Sequence, residues 1–175
     1  MPLPDPRLFE TELAALHEAS FAWALSCCGR ERNVAEEVLQ EAYLKVLDGR
    51  ARFEGRSTVK TWFFGVIRMN AHEYRRFFVR RLFRSDEVPA ELADSSRGPD
   101  SELSMRRRAE VVARALVRLS VRQREVIHLV FYEDLTIAEA AGVMGVALGS
   151  ARQHYERGKH ALASLLGDVE PGRHR

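Results

Sequence analysis

The stretch from Thr61 to Arg81, TWFFGVIRMNAHEYRRFFVRR, combines aromatic rings and arginines in one segment. Rings such as Trp62 and Tyr74 can stack on unpaired bases, while guanidinium groups follow a phosphate backbone. Each stacked base contributes about 1 to 3 kcal/mol. Most of the apolar run over 62–67 is expected in a core, but it surrounds the helix on all sides, so at least one ring is expected on the surface. The segment is therefore typical of a surface that holds single-stranded nucleic acid.

A second candidate surface lies in the segment LTIAEAAGVMGVALGSARQHYERGKHAL. It contains a short capped helix, a turn at Gly145 and Val146, and a longer helix, which is the order of a helix-turn-helix. Arginine bonds both acceptors of guanine, glutamine pairs with adenine, and glutamate accepts from the cytosine amino group. Side chains of these kinds share the predicted outer face of the longer helix: Ser150, Arg152, Gln153, Glu156, Arg157 and His160.

The inner face of that longer helix is predicted from its apolar and small residues, which recur at three- and four-residue spacing. They are Leu148, Ala151, Tyr155, Gly158 and Leu162. A charged outer face can also serve solubility alone. DNA recognition is favoured because a capped helix and a glycine turn precede this helix. The helix N-termini at Thr136 and Ser150 are suited to phosphate contact.

A third candidate surface is acidic. Glu37 and Glu41 lie one helical turn apart, with Glu36 and Gln40 beside them. These carboxylates would repel DNA and suit a basic protein partner, although a merely solvated face is the alternative.

The elements that position these residues are predicted to be helices throughout, because apolar residues recur at helical spacing and no hairpin signal or alternating β-branched run occurs. One helix is predicted over Leu8–Cys28, with Gly29 as its stop. Capping residues predict the starts of the next four: Asn33 with Glu36, Ser57 or Thr58, Ser120 with Gln123, and Thr136 with Glu139. The helix that begins near Asn33 is expected to bury Ala35, Val38, Leu39, Ala42, Tyr43 and Val46.

The domain organisation follows from a loss of periodicity over SDEVPAELADSSRGPDSELS, which is rich in proline, serine and acids and predicts a flexible linker. The chain is therefore predicted to be all-α, with two small helical domains of which the second contains the helix-turn-helix. The predicted boundaries are 1–84, a linker over 85–107, a second domain over 108–168 and a tail over 169–175.

Composition narrows the classes of function. The 175 residues carry a formal net charge of only +2, so binding to nucleic acid must depend on local patches. Cys27 and Cys28 are adjacent in an apolar stretch and are expected to be core residues, and no metal or other cofactor is expected. No segment resembles a leader or a membrane span, so a cytoplasmic protein is expected.

The segments AEEVLQEAYLKVL, FEGRSTVKTWFFGVIRMNAHEYRR and ALVRLSVRQREVIHLVFYEDLTIAEAAGVMGV resemble, in order and spacing, the two conserved domains of the extracytoplasmic-function (ECF) bacterial sigma factors. The resemblance covers roughly residues 8–84 and 108–166. It implies a non-catalytic subunit that binds core RNA polymerase and directs it to promoters, and that is usually held inactive by an anti-sigma factor.

The resemblance, together with the side-chain chemistry described above, predicts three sets of site residues. Those for polymerase docking are Glu37, Gln40, Glu41 and Tyr43. Those for opening and holding the minus-10 element are Lys60, Trp62, Arg68, Met69, Asn70, Tyr74, Arg75 and Arg76. Those for reading the minus-35 element as duplex are Thr136, Ser150, Arg152, Gln153, Glu156 and Arg157.

Two positions depart from the family pattern. Asparagine is usual where this chain has Met69, and an aromatic or basic residue is common where it has Glu156. The promoter sequence of relatives therefore does not transfer to this chain.

Two other classes of function are alternatives to this one. A helix-turn-helix repressor or activator would bind an operator without polymerase, but it leaves the segment from Trp62 to Arg81 and the acidic surface without a role. An enzyme acting on nucleic acid lacks support, since no metal-ligand motif, glycine-rich phosphate loop or supported nucleophile occurs in the sequence.

Overall fold

A computed structural model of the chain describes residues 6–82 and 111–167, in which helices are the only regular secondary structure. The all-α prediction is confirmed. The predicted linker over 85–107 and the tail over 169–175 lie outside the described residues. The helices are α1 Pro6–Ala15, α2 His17–Cys27, α3 Arg32–Leu47, α4 Val59–Leu82, α5 over 111–118, α6 Val121–Phe131, α7 Ile137–Met144 and α8 Leu148–Gly167.

The N-terminal domain packs α2, α3 and α4 around large aromatic residues. Trp23, Phe63 and Phe64 are fully buried, and the Trp23 indole Nε1 donates a hydrogen bond of 3.0 Å to the Phe64 carbonyl. The helix α3 buries Ala35, Val38, Leu39 and Ala42, as its periodicity predicts, while Tyr43 and Val46 pack at the edge of the core. Burial of most of the run over 62–67 is likewise confirmed, with Trp62 only half-buried.

Two predictions about helix starts and lengths in this domain are wrong. The single helix predicted over Leu8–Cys28 is divided at Leu16 into α1 and α2. This division lets Phe9 of α1 contact Phe53 while Trp23 of α2 enters the core. The capping box predicted at Asn33 does not form, because the helix already begins at residue 32.

The N-cap of α3 is instead Glu31, whose backbone is extended and whose side chain makes no capping hydrogen bond. Glu36 pairs with Arg32 at 2.9 Å rather than returning to the backbone. The cap predicted for α4 does form, since the Thr58 hydroxyl accepts a hydrogen bond of 3.1 Å from the Thr61 amide.

The C-terminal domain packs α6, α7 and α8 together. Both predicted capping boxes are present, one at Ser120 with Gln123 and the other at Thr136 with Glu139. The helix α7 ends at Gly145, whose left-handed φ of 60° is readily adopted only by glycine and turns the chain into α8. The predicted helix-turn-helix is thus formed by α7 and α8.

The inner face of α8 seats it closely on α6. Ala151 and Gly158 are buried, and a Cβ atom added at Gly158 would lie 3.1 Å from Ile127 Cγ1. Tyr155 stacks on Phe131, with ring centroids 5.9 Å apart. The prediction for Leu148 is wrong, because its side chain is 40% exposed at the start of the helix.

The two domains also pack against each other, which the sequence did not predict. The first helix of the helix-turn-helix, α7, lies on α4, and α6 lies on α2. The rings of Trp23 and His128 meet across this contact with centroids 5.3 Å apart. Buried residues of both domains consequently form one continuous apolar cluster.

Candidate nucleic-acid and polymerase interfaces

The outer face of α8 presents the predicted base-reading residues together. Arg152, Gln153, Glu156 and Arg157 are all exposed on this helix. Glu156 Oε2 lies 3.3 Å from the Lys159 ammonium, an exposed pair that costs little to separate. The helix therefore offers donors and acceptors that match base edges in a major groove.

The two helix N-termini predicted to contact phosphate, at Thr136 and Ser150, differ in whether their side chains are already bonded. Glu139 is already engaged by Thr136, whose backbone amide and hydroxyl both donate to Glu139 Oε2, at 2.8 and 2.7 Å. These bonds from Thr136 hold the pKa of Glu139 below its ordinary value. Ser150 is exposed in the first turn of α8. Contact with phosphate at this end of the domain is thus better suited to Ser150.

In α4, Trp62 and Met69 border the same groove, on the side that faces α7. Trp62 is held by edge-tilted contacts with Phe53 and Phe9, at centroid distances of 5.4 and 5.9 Å. Met69 is 48% exposed. Gly142 of α7 forms the opposite wall of the groove.

Asn70, one position after Met69, faces inward. Its side chain is buried, its Oδ1 accepts a bond of 2.7 Å from Lys45 Nζ, and its amide donates to the Val38 carbonyl at 3.5 Å. Lys45 also bonds Glu73 at 2.7 Å. In this arrangement Met69, and not Asn70, is presented at the surface.

The last predicted residues of α4 are divided between the surface and the domain interior. Arg76 is exposed, whereas Arg75 donates a hydrogen bond of 2.9 Å to the Cys27 carbonyl. Tyr74 is half-buried, and burial together with the neighbouring Glu37 carboxylate raises its pKa. Arg76 is thus the freer of the two arginines for a phosphate.

Lys60 and Arg68 are engaged by carboxylates of the other domain. Arg68 donates from Nε and Nη2 to the two oxygens of Glu125, at 3.0 and 3.2 Å. Lys60 Nζ lies 3.0 Å from Glu133 Oε2 and donates to the Glu133 carbonyl at 2.8 Å. Burial alone would raise the pKa of Glu133, but the neighbouring His128 and Lys60 side chains hold it below its ordinary value.

Sequence reasoning missed Glu125 and Glu133 as partners of the predicted DNA-binding cations. Glu125 is 1% exposed and Glu133 6% exposed, which is rare for carboxylates unless they are paired. Glu125 precedes buried Val126 and stands four residues before buried Leu129, so a carboxylate on the apolar side of α6 was the available signal. The residues near Glu125 in the sequence do not indicate that its partner is Arg68.

The acidic surface of α3 is mostly open to solvent. Glu37 and Gln40 are exposed, while Glu41 is bonded at 3.0 Å to Arg50. The Tyr43 hydroxyl lies 3.2 Å from His17 Nδ1 at the edge of a groove. Two apolar side chains extend the same helix surface: Leu44, 45% exposed, and Leu47, 74% exposed. The mixture of acids and apolar residues suits a protein partner better than DNA.

Within the described ranges, no helix is long and apolar enough to cross a membrane. In the same part of the chain, no group of three or more His, Cys, Asp or Glu side chains is arranged to hold a metal ion.

A helix-turn-helix with an exposed polar and charged face, joined in one chain to a second helical domain, is typical of a DNA-binding regulator of transcription. Residues 14–81 match the family model for sigma-70 region 2, and residues 109–162 match that for sigma-70 region 4. Together these models match more than two thirds of the chain. The chain belongs to the sigma-70 family, within its ECF group.

Similar proteins bear the same description. The chain is 28% identical over 137 residues to the ECF RNA polymerase sigma factor SigX of Bacillus subtilis, covering 76% of this chain and 71% of SigX. It is 28% identical over 163 residues to the RNA polymerase sigma factor CarQ of Myxococcus xanthus, covering 91% of this chain and 90% of CarQ.

A solved structure, that of the sigma factor RpoE in complex with the anti-sigma factor NepR from Bartonella quintana, is similar with a TM-score of 0.74 and 26% identity. The match covers 91% of this chain and 96% of RpoE. The protein is thus an alternative sigma factor that directs RNA polymerase to promoters, and the operator-binding regulator is not favoured.

Proposed function

We propose that the three surfaces divide the work of promoter recognition. The acidic surface of α3 docks on core polymerase, α4 opens and holds the minus-10 element, and α8 reads the minus-35 element as duplex. The observation that carries the proposal is the presence, on one chain, of an exposed helix whose side chains match base edges and a separate helix that combines rings with cations. An operator-binding regulator needs only the first of these.

Anchoring on polymerase gives each DNA-binding surface a high effective concentration. A formal net charge of +2 makes the free protein a weak binder of DNA, so its affinity is gained on assembly. The proposed role is non-catalytic and belongs to the cytoplasm, where the polymerase works. The RpoE neighbour was solved with an anti-sigma factor, which supports a partner of that class for this chain as well.

Replacing Arg152 with alanine tests the reading of the minus-35 element. Arg152 is exposed on the outer face of α8, and an arginine bonded to a base is worth about 1 to 3 kcal/mol of discrimination. We expect run-off transcription to fall about 10-fold or more from promoters with the preferred upstream element. Promoters whose upstream element is scrambled should be nearly unaffected.

Ser164→Ala is the matched control for Arg152→Ala, because it removes an exposed polar group from the same helix beyond all of the predicted base-reading residues. Equal loss of transcription from both promoter classes in the Arg152 variant would mean that this arginine contacts only phosphate.

Replacing Trp62 with alanine tests the opening of the minus-10 element. Loss of a ring that stacks on a base should cost about 1 to 3 kcal/mol in the melted complex, and little in the closed complex. We therefore expect permanganate reactivity of thymines in the bubble to fall about 10-fold, with closed-complex binding retained.

Trp62 also packs against Phe53 and Phe9, so Trp62→Phe serves as the control that keeps a ring in this cluster. It should retain most of the permanganate reactivity. If Trp62→Ala reduced closed-complex binding as much as melting, the melting role of Trp62 would be refuted.

A further inference from the structure

The contact between the two domains includes Arg68 and Lys60, two cations that are proposed above to bind promoter DNA. Arg68 presents its guanidinium fork to Glu125, so the donors that bind a phosphate are occupied by a carboxylate. The Arg68 side chain is 11% exposed and that of Glu125 is 1% exposed. Arg68 has no open path to a phosphate while this pair is formed.

The second pair repeats the arrangement at the other end of the contact. Lys60 holds both the carboxylate and the backbone carbonyl of Glu133, while His128 Nε2 lies 3.4 Å from the other carboxylate oxygen. The Lys60 ammonium thus contacts two oxygens of Glu133, and its side chain remains 28% exposed.

Steric cover accompanies the two ion pairs. The helix α7 packs along α4, and Gly142 faces Trp62 and Met69 across their shared groove. A base stacked on this side of Trp62 would have to enter the space between α4 and α7. The side of α4 that carries Trp62 and Met69 thus faces the helix-turn-helix across this groove.

We propose that Glu125 and Glu133 form an interdomain clasp that keeps the free protein closed by taking the places of DNA phosphates on Arg68 and Lys60. The clasp rests on the proposed function, since it inhibits only if those two cations serve promoter opening. Its occupant is the C-terminal domain of the same chain, so this layer of control needs no second protein.

The energetics suit a reversible device. A buried ion pair gains little net free energy because the attraction is offset by desolvation of both charges, whereas an unpaired buried charge is costly. When the domains separate, both carboxylates and both cations return to water, so opening leaves no charge stranded. The ion pairs consequently determine how the two domains align in the closed state. The apolar contact that includes Trp23 and His128 provides the free energy that holds the domains together.

Charge reversal tests the clasp in the full chain. In Glu125→Lys with Glu133→Lys, each new ammonium faces Arg68 or Lys60 in the closed state but is solvated in the open state. The control is Glu10→Lys with Glu12→Lys, which makes the same change in net charge at two exposed positions of α1. Any gain from added positive charge alone appears equally in this control.

Two readouts are compared for these proteins, with circular dichroism to verify their helicity. Small-angle scattering of the free proteins should give a larger radius of gyration for the clasp variant than for the wild type and the control. In run-off transcription with core polymerase, the concentration of clasp variant needed for half-maximal transcript should fall about tenfold, as when a competent state rises from roughly a tenth of molecules to nearly all.

Several outcomes would overturn the clasp: an unchanged radius of gyration with retained helicity, an expanded variant whose half-maximal concentration is not lowered, or an equal fall in the control. If the lysine variant lost helicity, Glu125→Gln with Glu133→Gln would replace it, with smaller changes expected in the same directions. Failure of the wild type to give transcripts at any concentration would contradict the proposed function instead, while scattering would still report whether the clasp exists.

Discussion

Core RNA polymerase should fail to retain a variant that carries Glu37→Lys and Glu41→Lys. Glu37 is exposed on α3, and Glu41 lies beside it with a single bond to Arg50. If the partner surface is basic, both new ammonium groups face like charge, which costs several kcal/mol at an interface. A loss of about 3 kcal/mol corresponds to roughly a hundredfold weaker binding, so co-purification should disappear.

The control for this experiment is again Glu10→Lys with Glu12→Lys, which changes the net charge by the same amount on α1. The control should be retained on immobilised core polymerase as well as the wild type, and both variants should keep their helical circular dichroism. Retention of the Glu37 and Glu41 variant at wild-type levels would show that the acidic surface is only a solvated face.

The largest effect on stability is expected from Trp23→Ala. Trp23 is fully buried, contacts Phe64 and His128, and bonds the Phe64 carbonyl. Its removal leaves a cavity where the two domains meet and takes away the hydrogen bond from the indole to the Phe64 carbonyl. The free energy of unfolding should fall by about 3 to 5 kcal/mol, measured by urea denaturation followed by circular dichroism.

Two further substitutions make the Trp23 result interpretable. Trp23→Phe keeps a ring but loses the indole donor, and it should cost about 1 to 3 kcal/mol. Phe77→Ala removes an aromatic ring that is 68% exposed and should change the free energy of unfolding by no more than about 0.5 kcal/mol. A small effect of Trp23→Ala, similar to that of Phe77→Ala, would contradict the central place of Trp23 in the core.

Features governed by neighbours along the chain were predictable from the sequence. The capping boxes at Ser120 and Thr136 and the glycine stop at Gly145 formed as expected, because each depends on residues within a few positions. The buried face of α3 followed from helical periodicity alone. The exposed face of α8 was deduced in the same way, as the side opposite its small and apolar residues.

Features governed by tertiary contacts were not predictable. The break at Leu16 depends on where Phe9 and Trp23 must each pack. Asn70 faces inward because Lys45, distant in sequence, reaches its side-chain oxygen.

The pairing of Arg68 with Glu125 joins residues that lie 57 positions apart. Each residue by itself is an ordinary charged side chain of a helix, and helical periodicity carries no information about which domain it will face. The sequence therefore indicated the DNA-binding chemistry of α4 without revealing that the other domain covers it.

The most direct test of the proposed division of labour is run-off transcription from a library of genomic promoter fragments, with purified core RNA polymerase in the presence and absence of this protein. We expect discrete transcripts only in its presence. Their aligned upstream sequences should share two elements, a duplex element read by α8 and a melted element beside Trp62 and Met69. Absence of transcripts, with specific fragments bound by the protein alone, would contradict the account and favour an operator-binding regulator.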